Sequence, residues 1–268
     1  MRIAPELYLK RLVVGGFERV FEMGRNFRNE GVDATHNPEF TSLEAYQAYG
    51  NWDTMRELTE NIIRSAAIAV HGSPQVTTAS GEVLDLSGSW PVVPVYEAVS
   101  RAVGETISPS GSLADYAHIA QRYEIEAATV GDLVNELYDE LVEPTTVFPT
   151  FYAGFPVETS PLTMADPDEP RIAQRWDLVA CGMELGTAYT ELADPIEQRA
   201  RLTDQSLRAA GGDAEAMELD ENFLQALEFG MPPTGGLGIG IDRLVMFLTG
   251  QNIREVLAFP FVKPDSTN

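Results

Sequence analysis

The segment FERVFEMGRNFRNEGVDATHNPEFTSLEAYQAY, residues 17–49, places a dense polar cluster between two strand-like stretches. Residues 17–27 and 40–49 are aromatic or β-branched at several positions and contain no proline, which favours strands. Asn37-Pro38 between them is a turn signal. The segment therefore predicts a long antiparallel hairpin that concentrates charge near its loop.

Side chains two residues apart on a strand point the same way, so Glu44 and Tyr46 are expected to project together. Arg28 ends the incoming strand and His36 lies in the loop. A polar cluster of this density is costly to fold unless something charged binds there. The hairpin is therefore interpreted as a nucleotide site, and the alternative is an exposed hairpin with scattered, solvated charges.

A second constellation is the run TGGLGIGIDR, residues 234–243, which is followed by the apolar stretch LVMFL. Glycines at this density let a backbone approach a ligand closely. A cation in a first helical turn opposes the helix dipole, so Arg243 is expected to face a phosphate or a base. The spacing matches neither a dinucleotide fingerprint nor a P-loop. The alternative is a glycine-rich packing strand under a helix.

A third constellation consists of two predicted strands, residues 176–180 and 183–191, joined by a tight turn at Cys181-Gly182. Asp177 and Glu184 are expected to lie opposite or nearly opposite each other. Carboxylates so placed repel unless a cation holds them, and oxygen ligands suit magnesium on a nucleotide. The alternative is an ordinary polar hairpin.

The second of these strands also presents Thr187, Tyr189 and Glu191 on one face. An acid beside an aromatic ring forms a pocket for an amine. The lone Cys181 lies in the turn, where we expect it to be incidental to catalysis.

Taken in order, these segments resemble class II aminoacyl-tRNA synthetases, and specifically the lysyl-tRNA synthetase catalytic domain. Residues 27–31 with 36–41 resemble motif 2 of that family, and residues 236–244 resemble motif 3. Residues 3–12 and 158–162 match further family segments. The resemblance implies an α+β fold, an antiparallel sheet flanked by helices, which the separation of strands from helices along the chain also favours.

The resemblance implies lysine and ATP as substrates and magnesium as cofactor. Arg28 and Arg243 would be catalytic, with Arg28 bridging the lysine carboxylate and the ATP α-phosphate. The residues that would hold ATP are Arg28, Glu30, His36, Asn37, Phe40, Glu184 and Arg243. The lysine pocket would consist of Glu6, Arg28, Glu44, Tyr46, Thr187, Tyr189 and Glu191. Asp177 and Glu184 would ligate magnesium.

The sequence departs from the family pattern in two respects. Thr187, Ala188 and Tyr189 stand where most lysyl enzymes have Asn, Gly and Phe, and this variant is similar to the synthetase part of bacterial fusion proteins that make lysyl-phosphatidylglycerol. The family's motif 1 and its anticodon-binding barrel would lie upstream of residue 1. A homodimer or a partner chain that supplies this part is therefore expected.

Composition limits the partners and the compartment. The 268 residues are 44% hydrophobic, enough for one catalytic domain over residues 1–268, with a helical insertion at about residues 102–142. One cysteine excludes a disulfide framework, and with no apolar span or signal peptide we expect a soluble, cytoplasmic protein. The net charge of −23 predicts weak, salt-sensitive binding to tRNA without a partner.

Several helix boundaries are also predicted from the sequence. Asp53 is expected to cap a helix that ends at Gly72, with an apolar stripe formed by Met55, Leu58, Ile62, Ala66 and Ala69. Asp194-Pro195 predicts a helix start and Gly211-Gly212 its stop, while Asp220 begins a helix that runs to Gly230.

The function predicted from these features is ATP-dependent activation of L-lysine, with transfer to tRNA(Lys) in the manner of a lysine–tRNA ligase. One alternative is a paralogue that passes lysine to a protein side chain or a small metabolite. The other is a catalytically silent regulatory module. A module freed from catalysis has no reason to keep a cluster of charged residues, which argues against silence.

Overall fold

The computed structural model describes residues 1–29, 33, 35–210 and 219–261, without the side chains of residues 208–210. The helices are α1 (Glu6–Val14), α2 (Trp52–His71), α3 (Val95–Val103), α4 (Ala117–Arg122), α5 (Val130–Leu141), α6 (Pro195–Ala210), α7 (Glu221–Glu228), α8 (Ile241–Thr249) and α9 (Ile253–Val256). The strands are β1 (Arg19–Phe27), β2 (Glu39–Ala48), β3 (Gln75–Thr77), β4 (Val83–Asp85), β5 (Val92–Pro94), β6 (Thr150–Ala153), β7 (Arg175–Ala180), β8 (Met183–Thr190) and β9 (Thr234–Gly240).

A seven-stranded sheet with the order β1-β2-β9-β8-β7-β6-β5 forms the centre of the structure. All neighbouring strands in it are antiparallel except β5 and β6, which are parallel. The predicted hairpin is present as β1 and β2, with Glu22 opposite Glu44. The α+β fold with an antiparallel sheet is therefore confirmed. The parallel pair β5 and β6 at one edge of the sheet is a feature beyond that prediction.

One face of the sheet is covered by α2 and α8. Their buried side chains pack on β6 to β9 through residues that alternate along the strands, because successive side chains of a strand point to opposite faces. On β9 the core-facing residues are Leu237 and Ile239. This layer leaves the opposite face of β2, β8 and β9 available for other contacts.

The opposite face is covered only in part. Helices α3 and α5 pack on β6 and β7 through a second apolar cluster that includes Val99, Leu133 and Leu137. At the other end, α1 packs on β2 through Leu9 and Val13. Between these two groups of helices lies the middle of the sheet, and this is where the predicted site residues meet.

The helix predictions agree with the structure except in detail. Asn51, not Asp53, caps α2, since its Oδ1 accepts a hydrogen bond from Thr54 N at 3.0 Å. The fully buried stripe of α2 is Met55, Thr59, Ile63 and Ala67. Leu58, Ile62 and Ala66 flank it and are partly buried, while Ala69 is exposed. The predicted stripe is thus displaced by one residue over most of the helix.

Other boundaries follow the expected caps. Asp194 accepts hydrogen bonds from Ile196 N and Glu197 N at the start of α6, and Asp220 caps α7. The predicted end of α6 at Gly211-Gly212 lies outside the described residues, as does Glu30 of the predicted ATP site. The helical segment predicted at residues 102–142 begins earlier, at Val95, where α3 starts.

The turn at Cys181-Gly182 joins β7 and β8 as predicted. Both residues have positive φ, 52° and 71°, the combination that a two-residue type I′ hairpin turn requires. Across the described ranges, none of the helices is both long enough and apolar enough to cross a membrane.

Candidate active site

A cavity of about 350 Å³ lies over the middle of the sheet, on the face opposite α2 and α8. Every predicted site residue that the structure describes lines it, with the exception of Asp177. The cavity residues come from α1, β2, β8, β9, α8 and the loop after β1, which are far apart in sequence. The predicted site residues are Glu6, Arg28, His36, Asn37, Phe40, Glu44, Tyr46, Glu184, Thr187, Tyr189, Glu191 and Arg243.

The floor of the cavity is formed by β9, and the alternation of its sequence explains its shape. Leu237 and Ile239 point into the core, while Gly236, Gly238 and Gly240 face the cavity and leave bare backbone there. The absence of a side chain at Gly236 is needed sterically, because the Glu191 carboxylate and the Tyr46 ring occupy that space. The glycine-rich strand is thus both a packing strand and a ligand-facing surface.

Replacing Gly236 with alanine is expected to destabilise the fold by about 1–3 kcal/mol, the range for overpacked sites. The new Cβ would lie 1.8 Å from Glu191 Oε1 and 2.6 Å from Tyr46 Cε1, so both side chains must move. Gly238→Ala is the matched control on the same strand, since its Cβ meets nothing nearer than Glu44 Cγ at 4.0 Å. Thermal unfolding distinguishes the two variants. Equal losses of Tm would show that Glu191 does not lie against Gly236.

One end of the cavity carries cationic groups. The Arg28 guanidinium lies over the Phe40 ring, 5.1 Å from its centroid. Arg243 donates from Nη1 to the Glu184 backbone oxygen at 2.9 Å, and its Nη2 lies 3.0 Å from His36 Nε2. This end therefore presents two guanidinium groups and an aromatic ring to a ligand, which suits phosphates and a planar base.

The contact between Arg243 and His36 fixes the form of the imidazole. Arginine has no acceptor, so His36 Nε2 must accept, and Nδ1 carries the proton and donates to Asp33 Oδ2 at 2.8 Å. Burial alone would raise the pKa of Asp33, but hydrogen bonds from Thr35 and His36 lower this pKa to about 2. Asp33 was not predicted from the sequence. The available signal was that Asp33 lies two residues before Thr35 in a turn.

A β-bulge turns Glu184 towards the cavity. Gly186 pairs with Leu178 while Glu184 pairs with Val179, so β8 contains one extra residue, Leu185, at this point. Leu185 packs in the apolar core although it also borders the cavity, and Glu184 lines the cavity without joining that core. Without the bulge, the alternation of β8 would direct Glu184 to the core side.

Asp177 and Glu184 lie nearly opposite each other, as expected, although not directly opposite. The register places Thr187 opposite Asp177 and Glu184 opposite Val179, two residues from Asp177 on the same face of β7. Burial and the neighbouring Asp177 raise the pKa of Glu184 to about 7. Both Asp177 oxygens are engaged, by Arg175 Nε at 3.0 Å and Nη2 at 2.6 Å and by Thr187 Oγ1 at 2.5 Å. Among the described residues no group of three His, Cys, Asp or Glu side chains could hold a metal ion. Magnesium ligation by Asp177 and Glu184 stays a prediction.

The other end of the cavity is rich in carboxylates. Glu44 and Tyr46 project together from β2 as expected, and the Tyr46 hydroxyl donates to Glu44 Oε2 at 3.1 Å. Burial and the neighbouring Glu6 raise the pKa of Glu44 to about 7. Burial also raises the pKa of Glu191, whose Oε1 has no hydrogen-bond partner among the described residues. A cationic group is the ligand that this end lacks.

Sequence reasoning missed Lys10, which lies behind this carboxylate end. Its side chain is 1% exposed, and its Nζ lies 2.6 Å from Glu6 Oε1 and forms an ion pair with Glu191 Oε2. The available signal was the spacing of Glu6 and Lys10, which places them one helical turn apart.

Residues 1–263 match the family model described as tRNA synthetases class II (D, K and N). The chain belongs to this family of class II tRNA synthetases and is an enzyme of the class II synthetase type. The predicted family resemblance is therefore confirmed over nearly the whole chain.

Similar proteins place the chain more narrowly. It is 58% identical to the lysylphosphatidylglycerol biosynthesis bifunctional protein LysX of Gordonia bronchialis, over 98% of this chain and 24% of that protein. The proteins of the same name from Rhodococcus opacus and Mycobacterium marinum are 54% and 56% identical, again over 98% of this chain and 24% of theirs. The chain thus spans about a quarter of the length of these curated relatives.

Proposed function

We propose that the chain activates L-lysine with ATP to form lysyl-adenylate. The observation that carries the proposal is that one cavity joins a cationic end, with Arg28 and Arg243, to a carboxylate end, with Glu6, Glu44 and Glu191. The cationic end suits the phosphates of a nucleotide and the carboxylate of an amino acid. The carboxylate end suits the ammonium groups of lysine. Arg28 would serve both substrates where they meet.

The proposed reaction needs no nucleophile from the protein. An oxygen of the lysine carboxylate attacks the α-phosphorus of ATP, the bond from that phosphorus to the bridging oxygen breaks, and pyrophosphate leaves. The protein contributes position and electrostatic stabilisation of the charge at phosphorus, for which Arg28 is the candidate.

The carboxylates at the cavity also indicate which residues would hold magnesium. Mg²⁺ is held in nucleotide sites by one or two carboxylates together with substrate phosphates, where it neutralises their charge. Glu184 suits this role because it faces the cavity beside Arg243. Asp177 would have to release Arg175 or Thr187 to join it.

For the second half of the reaction we propose tRNA(Lys) as the acceptor. The names of the LysX relatives refer to lysylphosphatidylglycerol biosynthesis, which requires an activated lysyl group. The net charge of −23 favours the second candidate, a smaller acceptor without a phosphate backbone, because such a surface repels RNA.

Amino-acid-dependent exchange of pyrophosphate into ATP tests the activation step. We expect exchange with lysine that exceeds exchange with ornithine, arginine and β-lysine. A folded protein that exchanges with none of them, or with an amino acid that lacks a second amine, would contradict the proposal.

Transfer of radiolabelled lysine to tRNA(Lys) tests the acceptor separately. If tRNA is the acceptor, charging is expected at low salt and should fall steeply as salt rises, because phosphate contacts release counterions. Active exchange without charging at any salt concentration would favour the smaller acceptor.

A further inference from the structure

Lys10 is a buried charge that takes no direct part in the proposed reaction. It is one of only two lysines among the 18 basic residues of the chain, the other being Lys263. Its side chain is 1% exposed, and it does not line the cavity. Apart from Lys10 and Lys263, the basic residues of the chain are all arginines. A lysine at this buried position therefore calls for a specific reason.

The contacts of Lys10 lead directly to the carboxylate end of the cavity. Its ammonium forms ion pairs with Glu6 and Glu191, and it lies 5.9 Å from the centroid of the Tyr46 ring. Although burial alone would lower the pKa of Lys10, Glu191 and Glu6 hold it above its usual value, so the ammonium stays charged. A compact ammonium fits between two carboxylates, whereas the planar fork of arginine needs more room.

The charges at the carboxylate end show how much negative charge Lys10 leaves unneutralised for a ligand. Glu6, Glu44 and Glu191 contribute three negative charges when ionised, and Lys10 contributes one positive charge. Two negative charges remain when Arg28, whose charge also acts on Glu44, is assigned to the carboxylate of the substrate. Glu191 keeps one oxygen without a hydrogen-bond partner among the described residues, and Glu44 is bonded there to the neutral Tyr46 hydroxyl. Two ammonium groups would neutralise the remainder, and a diamino acid carries two.

We propose that Lys10 is a built-in counter-ion that positions Glu191 and sets the charge of the carboxylate end to accept two ammonium groups. This inference rests on the proposed lysine activation and deepens it. Lys10 acts through Glu6 and Glu191 and is a positioning residue. The remaining groups that face Glu191 are Glu44 and Tyr46 from β2, while β9 presents only Gly236.

The first test compares Lys10→Met with Arg11→Met in pyrophosphate exchange. Arg11 is the exposed neighbour of Lys10 on α1, so both variants remove one positive charge from the same helix. We expect Lys10→Met to raise the KM for lysine at least about 30-fold, as expected for breaking a buried charge pair. The KM for ATP should change little, and Arg11→Met should behave like the wild type. Equal changes in both KM values would overturn the positioning role.

The pH dependence of kcat/KM for lysine distinguishes the positioning role of Lys10 from a purely structural role, because a structural role would leave this pH dependence unchanged. Without Lys10, Glu191 loses the charge that keeps it ionised, so the acidic limb of kcat/KM for lysine should shift upwards by about one pKa unit or more. An unchanged limb would contradict the proposal.

The second test does not depend on activity and therefore separates this proposal from the proposed function. The destabilisation caused by Lys10→Met should be small at pH 5, where the unpaired Glu191 is protonated, and large at pH 9, where a buried carboxylate stands alone. The double variant Lys10→Met, Glu191→Gln should recover stability at pH 9 without recovering lysine binding. A loss of Tm that is equal at both pH values and is not relieved by Glu191→Gln would overturn the counter-ion role, whether or not the wild type activates lysine.

Discussion

Lysine-dependent ATP–pyrophosphate exchange is expected to fall about 10²- to 10³-fold when Arg28 is replaced by alanine, the range for removing one group that stabilises transition-state charge. Arg28 lines the cationic end of the cavity, and its charge also acts on Glu44 of the carboxylate end, so it suits the place where the attacking carboxylate and the α-phosphate would meet. The fold should remain, because the guanidinium lies over the Phe40 ring at the cavity and Arg28 is not part of the apolar core.

Arg25→Ala is the matched control for this prediction. Arg25 lies on β1, three residues before Arg28, its side chain is 62% exposed, and it pairs with Glu39 outside the cavity. Exchange and Tm should both stay close to the wild-type values in this variant. If Arg28→Ala retained wild-type exchange, Arg28 would have no role in adenylate formation and the assignment of the site would be wrong.

Replacing Glu44 with glutamine is expected to weaken lysine binding and, at alkaline pH, to stabilise the ligand-free protein. The KM for lysine should rise at least about 30-fold, because the ammonium loses a buried counter-charge. The KM for ATP should change far less, since the cationic end of the cavity is untouched. An unchanged KM for lysine would show that Glu44 does not face the substrate amine.

The stability effect of Glu44→Gln follows from the raised pKa of Glu44. Burial and Glu6 raise this pKa from 4.5 to about 7 in the folded protein, so folding favours the protonated form. The stability that Glu44 contributes is present below pH 4.5 and is lost as the pH rises through 7. Glutamine does not ionise, so the variant should gain about 1–3 kcal/mol at pH 8.5 and little at pH 4.5. Chemical unfolding at the two pH values measures this difference, and a gain independent of pH would contradict the cause.

Much of the site could be predicted because strand alternation and motif spacing are local properties. The pair Glu44 and Tyr46 follows from the period of β2, and the glycines of β9 follow from the run that begins at Gly235. The family resemblance supplied the rest of the cavity lining, including Glu6 from a helix distant in sequence.

The predictions that failed concern features that depend on tertiary structure and not on local sequence. The bulge at Leu185 depends on the register between two strands, which no local pattern specifies, and it places Thr187 instead of Gly186 opposite Asp177. The cap of α2 was misplaced because Asn51 and Asp53 are both good capping residues two positions apart. Lys10 was overlooked because a lysine on a helix is ordinarily solvated, and only the packing of α1 on β2 buries it.

The central claim is that one cavity recognises the phosphate and amine ends of lysyl-adenylate at the same time. Calorimetric titration with a stable analogue, in which a sulfamate replaces the phosphate, tests it without requiring turnover. The control ligand is the norleucyl analogue, which has nearly the same shape but lacks the side-chain ammonium. We predict that the lysyl analogue binds at least about 10³-fold more tightly, because norleucine would leave buried carboxylates unpaired. Equal affinities for the two analogues would contradict the account.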